Sequence, residues 1–171
     1  IGNADHHYTL AGLATGGAPR VVSVDAQGDL GSVGLTIAGD GGEKVEGTDD
    51  ADILIGGAGD DLIFGGDGGD RIAGGDGADL LNGNDGMDEI LGGAGNDRID
   101  GGNRDDRLSG GEGSDVIFGG LGADMIDAGA GNDIVDAGNG ADTVLLGEGA
   151  DRLLIRESFG RIEVDRKSTR L

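Results

Sequence analysis

A period of nine residues runs without interruption from Gly47 to Leu154, and it constrains the fold more than any other feature of the sequence. It gives twelve repeats of the pattern GGxGxDxhx, in which h is Leu, Ile or Val. Glycine fills the second and the fourth positions in ten of the twelve repeats each, and the sixth position is always aspartate. These aspartates are Asp52, Asp61, Asp70, Asp79, Asp88, Asp97, Asp106, Asp115, Asp124, Asp133, Asp142 and Asp151. A disordered low-complexity segment has no reason to place an aliphatic residue two positions after every aspartate, so the pattern predicts an ordered, repetitive fold.

The two halves of each repeat predict a strand and a turn. The three residues centred on the aliphatic position are typical of a short strand whose middle side chain points inward. The preceding GGxGxD segment is typical of a turn, because glycine adopts the positive φ angles that tight turns need. Two repeats then form one coil of 18 residues. The predicted fold is all-β: a parallel β-roll (a β-solenoid) of two facing parallel sheets, with odd-numbered repeats in one sheet and even-numbered repeats in the other.

The charge of the chain excludes several partners. Its 34 acidic and 12 basic residues give a net charge of -22, which disfavours nucleic acid and anionic membranes and favours cations. The absence of cysteine excludes a disulfide scaffold. No HExxH, GxSxG or EF-hand pattern occurs, and twelve equivalent aspartates look like repeated ligands and not like one acid/base pair. We therefore expect a metal-binding module and not an enzyme.

Four segments divide the chain. They are an N-terminal linker or strand segment (1–37), a degenerate lead-in repeat (38–46), the twelve-repeat roll (47–154) and a C-terminal cap or tail (155–171). The lead-in segment has Glu43 at the aspartate position and Val45 at the aliphatic one, and it is either a first coil or only a cap. The cap prediction rests on Ile155, Phe159, Ile162 and Val164. We interpret His6 and His7 as a disordered or tag-like end, and the start at Ile1 as a sign of a longer protein.

The turns offer the ligands that calcium prefers, namely six to eight oxygens from carboxylates and backbone carbonyls. The twelve aspartates supply the carboxylates. The bare backbone of glycine can turn its carbonyls toward an ion without side-chain obstruction. The glycines predicted to take part are Gly57, Gly59, Gly66, Gly68, Gly75, Gly77, Gly93, Gly95, Gly111, Gly113, Gly120 and Gly122. No other cofactor is expected.

The repeats resemble those of the repeats-in-toxin (RTX) family of hemolysin-type calcium-binding proteins. The resemblance implies that each ion sits between the turns of repeats two apart, which gives ten pairs from Asp52/Asp70 to Asp133/Asp151 and up to about ten Ca²⁺. It further implies a chain that leaves a Gram-negative bacterium unfolded by type I secretion, folds on extracellular calcium and stabilises a larger secreted protein. Its partners would be that protein's flanking domains and the secretion machinery. The alternatives are a surface-layer or adhesin array, or a polysaccharide-binding module that contacts cell-surface glycan.

Three departures from the consensus bear on the sites. Arg104 replaces a fourth-position glycine and puts the pairs Asp88/Asp106 and Asp106/Asp124 in doubt. Asp50 does the same in the first repeat, which predicts an imperfect first coil. Repeats ten to twelve begin with Ala128, Ala137 and Leu146, which are expected to weaken carbonyl presentation at the C-terminal end.

Outward positions of the strands suggest two further features. In the even sheet, apolar residues form two patches, which fit either docking of a neighbouring domain or simple β propensity. The patch residues are Leu62, Phe64 and Leu80, and Val116, Phe118 and Ile134. In the odd sheet, Arg71, Glu89 and Arg107 occupy one position of successive coils, which predicts a weak ion ladder or a contact with an acidic glycan.

Overall fold

The computed structural model describes the backbone of residues 34–37, 39–154 and 163–165, and the side chains of residues 39–154. His6, His7, Ile155, Phe159 and Ile162 lie outside the described residues. Within the described ranges the chain forms fifteen strands and no helix, and accordingly no helix there is long and apolar enough to span a membrane.

The strands alternate between two parallel sheets. The eight-stranded sheet contains the strands of the odd repeats, in the order β1 (Gly34–Ile37), β3 (Asp52–Ala58), β5 (Arg71–Asp76), β7 (Glu89–Ala94), β9 (Arg107–Glu112), β11 (Met125–Ala130), β13 (Thr143–Leu145) and β15 (Glu163–Asp165). The seven-stranded sheet contains those of the even repeats, in the order β14 (Arg152–Leu154), β12 (Ile134–Asp136), β10 (Val116–Leu121), β8 (Arg98–Asn103), β6 (Leu80–Asp85), β4 (Leu62–Asp67) and β2 (Lys44–Glu46). The prediction of a parallel β-roll with odd and even sheets is confirmed.

The register of the sheets equals one coil of the predicted length. Ile72 lies opposite Ile90 and Ile63 lies opposite Leu81, so within the twelve repeats each paired residue lies opposite the one 18 positions further on. The interior strands are longer than predicted, with six residues and not three, because the first three positions of the next repeat continue the ladder. Gly75, with φ 120°, stays paired with Gly93 at this corner, so the turn shrinks to the fourth to sixth positions.

The core consists of two facing rows of aliphatic side chains, one from each sheet. The buried members are Val45, Leu54, Ile63, Ile72, Leu81, Ile90, Ile99, Leu108, Ile117, Ile126, Val135 and Val144, with Leu153 packed against them. These are the predicted inward positions, one for each repeat. Ala128, Ala137 and Leu146 add a second inward side chain in the last three repeats. Ala137 and Leu146 directly follow β12 and β13, which are three residues long.

Both ends of the roll carry strands outside the twelve repeats. β2, from the lead-in segment, pairs with β4, while β1 pairs with β3. At the other end Val164 of β15 lies opposite Val144 of β13. The four segment boundaries drawn from the sequence stay a prediction.

Candidate metal centres

The sixth-position aspartates stack along the two edges of the roll. Eleven of them are buried and Asp151 is half-buried. In each of the ten predicted pairs, the N–H of the first aspartate donates to Oδ1 of the aspartate one coil further on, as in Asp79 to Asp97 at 2.9 Å and Asp97 to Asp115 at 2.9 Å. The other eight bonds span 2.8 to 3.1 Å. The structure therefore brings every predicted pair together.

The second carboxylate oxygen behaves differently from the first. Among the described residues, ten aspartates have a buried Oδ2 with no hydrogen-bond partner. They are Asp61, Asp70, Asp79, Asp88, Asp97, Asp106, Asp115, Asp124, Asp133 and Asp142. A buried, unpaired carboxylate oxygen is strongly unfavourable, because it has lost its hydration and gained nothing in exchange. Ten such oxygens at equivalent positions could each act as a ligand to a cation.

The first-position glycines, which the sequence analysis did not single out, lie directly beside these Oδ2 atoms. A Cβ built on Gly92 would collide with Asp97 Oδ2 and with the carbonyl oxygen of Gly110 in the next coil. The carboxylate oxygen and a backbone carbonyl oxygen thus converge beside one glycine. The same arrangement recurs at Gly56, Gly65, Gly74, Gly83, Gly101, Gly110 and Gly119. Glycine fills the first position in nine of the twelve repeats, which was the signal available in the sequence.

The twelve predicted glycines shape the turn. All of them have positive φ, between 105° for Gly59 and 147° for Gly122, as the turn interpretation required. Their part as carbonyl ligands stays a prediction. Asn84 and Arg104 hold the same left-handed conformation at φ 72° and 80°. The Asn82 side chain supports Asn84 by accepting its N–H at 2.9 Å.

Arg104 does not interrupt the stack. Asp88 N–H reaches Asp106 Oδ1 at 2.9 Å and Asp106 N–H reaches Asp124 Oδ1 at 3.0 Å, as in the glycine-containing turns. The pair geometry that the sequence put in doubt is therefore intact, although whether those two pairs bind an ion stays a prediction.

Burial sets the protonation of these carboxyls. It raises the pKa of Asp61 and Asp97 to about 6 and the pKa of Asp106 to about 7, because the charged form loses its hydration. The N–H donated to each carboxylate partly offsets this, while neighbouring carboxyls add to the rise in pKa. Burial likewise raises the pKa of Asp70, Asp124 and Asp133 to about 6, and it raises the pKa of Asp79, Asp88, Asp115 and Asp142. Without a cation, these carboxyls of the folded chain therefore take up protons at a higher pH than a free aspartate does.

The donor set fits a hard cation. Within residues 39–154 no group of three or more His, Cys, Asp or Glu side chains is placed to hold one ion. An ion between two coils would therefore take two carboxylates and complete its shell with backbone carbonyls. Calcium accepts six to eight such oxygens in flexible geometry, whereas soft metals require sulfur or imidazole ligands. The residues present fit calcium.

The N-terminal coils differ from the interior ones. Thr48 replaces the second-position glycine of the first repeat, and both its N–H and its hydroxyl donate to Asp52 Oδ2, at 2.6 and 3.0 Å. This protein bond satisfies the oxygen that stays open in the interior repeats. Glu43 lies half a coil before Asp52 and is 9% exposed. It donates its N–H to Asp61 Oδ1 at 2.8 Å, and its Oε2 is buried without a hydrogen-bond partner. Glu43 thus occupies the position of an aspartate, as the lead-in interpretation expected.

Stacked coils with paired, buried aspartates and converging carbonyls define a class of protein, the metal-binding parallel β-rolls. The chain belongs to the family of RTX calcium-binding nonapeptide repeats. The family model matches residues 37–72, 64–99, 91–126, 100–135 and 118–153, most of the chain and all but the last residue of the roll. No curated protein matches the chain significantly. Repeats of this family bind calcium, and a β-roll built from them is a structural calcium-binding module and not a catalytic fold.

Proposed function

We propose that the chain is a calcium-dependent folding module of a larger secreted protein, unfolded in the absence of calcium and folded in its presence. The observation that carries this proposal is the row of ten buried Oδ2 atoms without partners. At neutral pH each would bear charge in a dehydrated site, beside further carboxylates of the same edge. Calcium removes that penalty, so folding and metal binding are one process.

The core is too thin to fold such a chain alone. It buries about one aliphatic side chain per nine residues, worth about 1.5–3 kcal/mol each. The conformational entropy lost on ordering nine glycine-rich residues exceeds what one such side chain contributes. At an extracellular-type affinity of ~10⁻⁴–10⁻³ M, millimolar calcium contributes about 0.4–1.4 kcal/mol per site. One site is negligible, whereas many linked sites act as a switch.

We propose eleven ion positions, one more than the sequence suggested. Ten correspond to the aspartate pairs, and the eleventh lies between Glu43 and Asp61, whose buried oxygens Oε2 and Oδ2 both lack a partner. Eleven divalent ions would carry a charge of +22, against the net charge of -22 of the whole chain. Neutralisation on this scale removes the self-repulsion that opposes compaction.

Secretion by the type I route from a Gram-negative bacterium gives this switch a purpose. Calcium is scarce in the cytosol, so the chain stays unfolded for export, and calcium outside the cell then folds it. The secretion machinery and the flanking domains of the parent protein are the partners in this proposal, and the segments 1–37 and 155–171 are its connections. A glycan contact at the odd face is less favoured, because Arg71 is already paired with Glu89 at 3.2 Å.

Circular dichroism tests the proposal. In EGTA at pH 7.5 the chain should give a coil spectrum, and millimolar calcium should convert it cooperatively to a β spectrum. Equimolar magnesium is the control, since it demands octahedral geometry and dehydrates reluctantly, so it should fold the chain poorly. A β spectrum already present in EGTA at this pH would refute the coupling of folding to calcium.

A further inference from the structure

A second ladder of side chains runs beside the aspartates, at the fifth position of the repeats. Here the N–H of one coil donates to the fifth-position side chain of the coil before. Ala78 N–H bonds Asp60 Oδ1 at 2.8 Å, Ser114 N–H bonds Asn96 Oδ1 at 2.7 Å, Asn132 N–H bonds Ser114 Oγ at 3.3 Å, and Ala150 N–H bonds Asn132 Oδ1 at 2.9 Å. None of these side chains belongs to the predicted ligand set, so this ladder holds the coils in register without metal.

The ladder lies almost entirely on one edge of the roll. We call the turns of the even-numbered repeats the even-turn edge and those of the odd-numbered repeats the odd-turn edge. Between Asp60 and Ala150 four of the five successive fifth-position steps of the even-turn edge are bonded in this way. Between Ala51 and Ala141 the odd-turn edge has one such bond in five steps, from Ala123 N–H to Asp105 Oδ1 at 2.8 Å.

The sequence explains the asymmetry. On the odd-turn edge the fifth positions include Ala51, Gly69, Met87 and Ala123, whose side chains offer no oxygen to the next coil. Met87 is 64% exposed. The sixth-position bonds, by contrast, have the same geometry on both edges, for example 2.9 Å for both Asp79 to Asp97 and Asp88 to Asp106. The two edges therefore differ in metal-independent support and not in the arrangement of their aspartates.

We propose that Asp60, Asn96, Ser114 and Asn132 are positioning residues that pre-organise the calcium sites of the even-turn edge. A hydrogen bond of this kind changes a local opening equilibrium by about two- to ten-fold. The sites of the even-turn edge consequently fill first as calcium rises, and each site of the odd-turn edge must order its own turn when it binds. This inference rests on the proposed calcium-dependent folding, and it adds an order of filling along the two edges.

Hydrogen exchange resolved to single amides tests this order, with the sixth-position amides as matched reporters. In a calcium titration the Asp79 and Asp97 amides should become protected at a calcium concentration about two- to ten-fold lower than the Asp70 and Asp88 amides. A merely structural ladder would shift all four amides together. Equal midpoints on the two edges would overturn the inference but leave the proposed function standing, whereas protection independent of calcium would remove both.

Three variants test whether the fifth-position hydrogen bonds cause the difference between the calcium midpoints of the two edges. Asn96→Ala, which places at that position the residue found at Ala78 of the same edge, should raise the calcium midpoint of the Asp97 amide by about two- to ten-fold. Met87→Asn supplies the missing acceptor for Asp105 N–H and should lower the midpoint of the Asp88 amide by a similar factor. Asn139→Ala is the control, because Asn139 is exposed and lies at the third position of its repeat, outside the ladder. If Asn96→Ala fails to fold, Met87→Asn still decides, and an unchanged Asp88 midpoint in it refutes the role of the ladder.

Discussion

Replacing Asp97 by Asn isolates what a single interior carboxylate contributes. Asp97 is 2% exposed and faces both Asp79 and Asp115, so it belongs to two proposed sites. Asparagine keeps Oδ1 as acceptor for the Asp79 N–H and exchanges the unpartnered Oδ2 for an amide group. The substitution thus removes an anionic ligand oxygen from two proposed sites, which lowers the calcium-linked stability at millimolar calcium by about 1–3 kcal/mol. The hydrogen bond from the Asp79 N–H persists. Asp151→Asn is the matched control, since Asp151 is half-buried and serves only the pair with Asp133.

Calorimetric and circular dichroism titrations measure the outcome. Asp97→Asn should lower the number of bound ions by about two and should broaden or split the folding transition, because a solenoid is cooperative only while its stack is unbroken. Asp151→Asn should fray one end and leave the midpoint nearly unchanged. In EGTA the loss of stability caused by Asp97→Asn should disappear or become a gain, because the variant no longer buries an unpaired charge at this position. Equal effects at the two positions would refute the model of ions stacked between coils.

Three further predictions concern acid, the first coil and the surface. Burial raises the pKa of the aspartates in the folded roll, to about 7 for Asp106, so the metal-free roll should be most stable below about pH 4 and should lose stability as the pH rises toward 7. Circular dichroism in EGTA should therefore show more β structure at pH 4 than at pH 7.5. A roll that is less ordered in acid would contradict this. Glu43→Gln should remove one ion and loosen only the N-terminal coils, with Glu43→Asp as the control that retains binding; an unchanged ion count would exclude the site shared with Asp61. Phe64→Ser combined with Phe118→Ser should leave calcium-induced folding intact but increase protease cleavage at the domain junction of the full-length protein, and unchanged cleavage would exclude docking through the even sheet.

Much of the site geometry could be predicted from the repeat. An inward aliphatic residue every nine positions requires two strands per coil, and a coil of 18 residues places Asp70 beside Asp88 in every register that keeps Ile72 and Ile90 in the core. The pairing of aspartates two repeats apart therefore follows from arithmetic, together with the rule that buried side chains stay on one face of a strand. The positive φ of the second- and fourth-position glycines follows from the turn that this coil requires.

The remaining features depend on contacts between coils, which no single repeat contains. The convergence of Asp97 Oδ2 and the Gly110 carbonyl on Gly92 needs the stacking direction and the rise of the coil, so the first-position glycine became meaningful only in three dimensions. Arg104 looked disruptive as a sequence symbol, yet its backbone adopts the required angle while the stack continues past it. The sequence by itself determined the period, the inward residues and the aspartate pairs, because these depend on local alternation. Only the tertiary structure decided which carboxylate oxygens are left without hydrogen-bond partners. It also decided that Asn96 accepts a hydrogen bond from the next coil whereas Met87 does not, because both features depend on contacts with the coil 18 residues away.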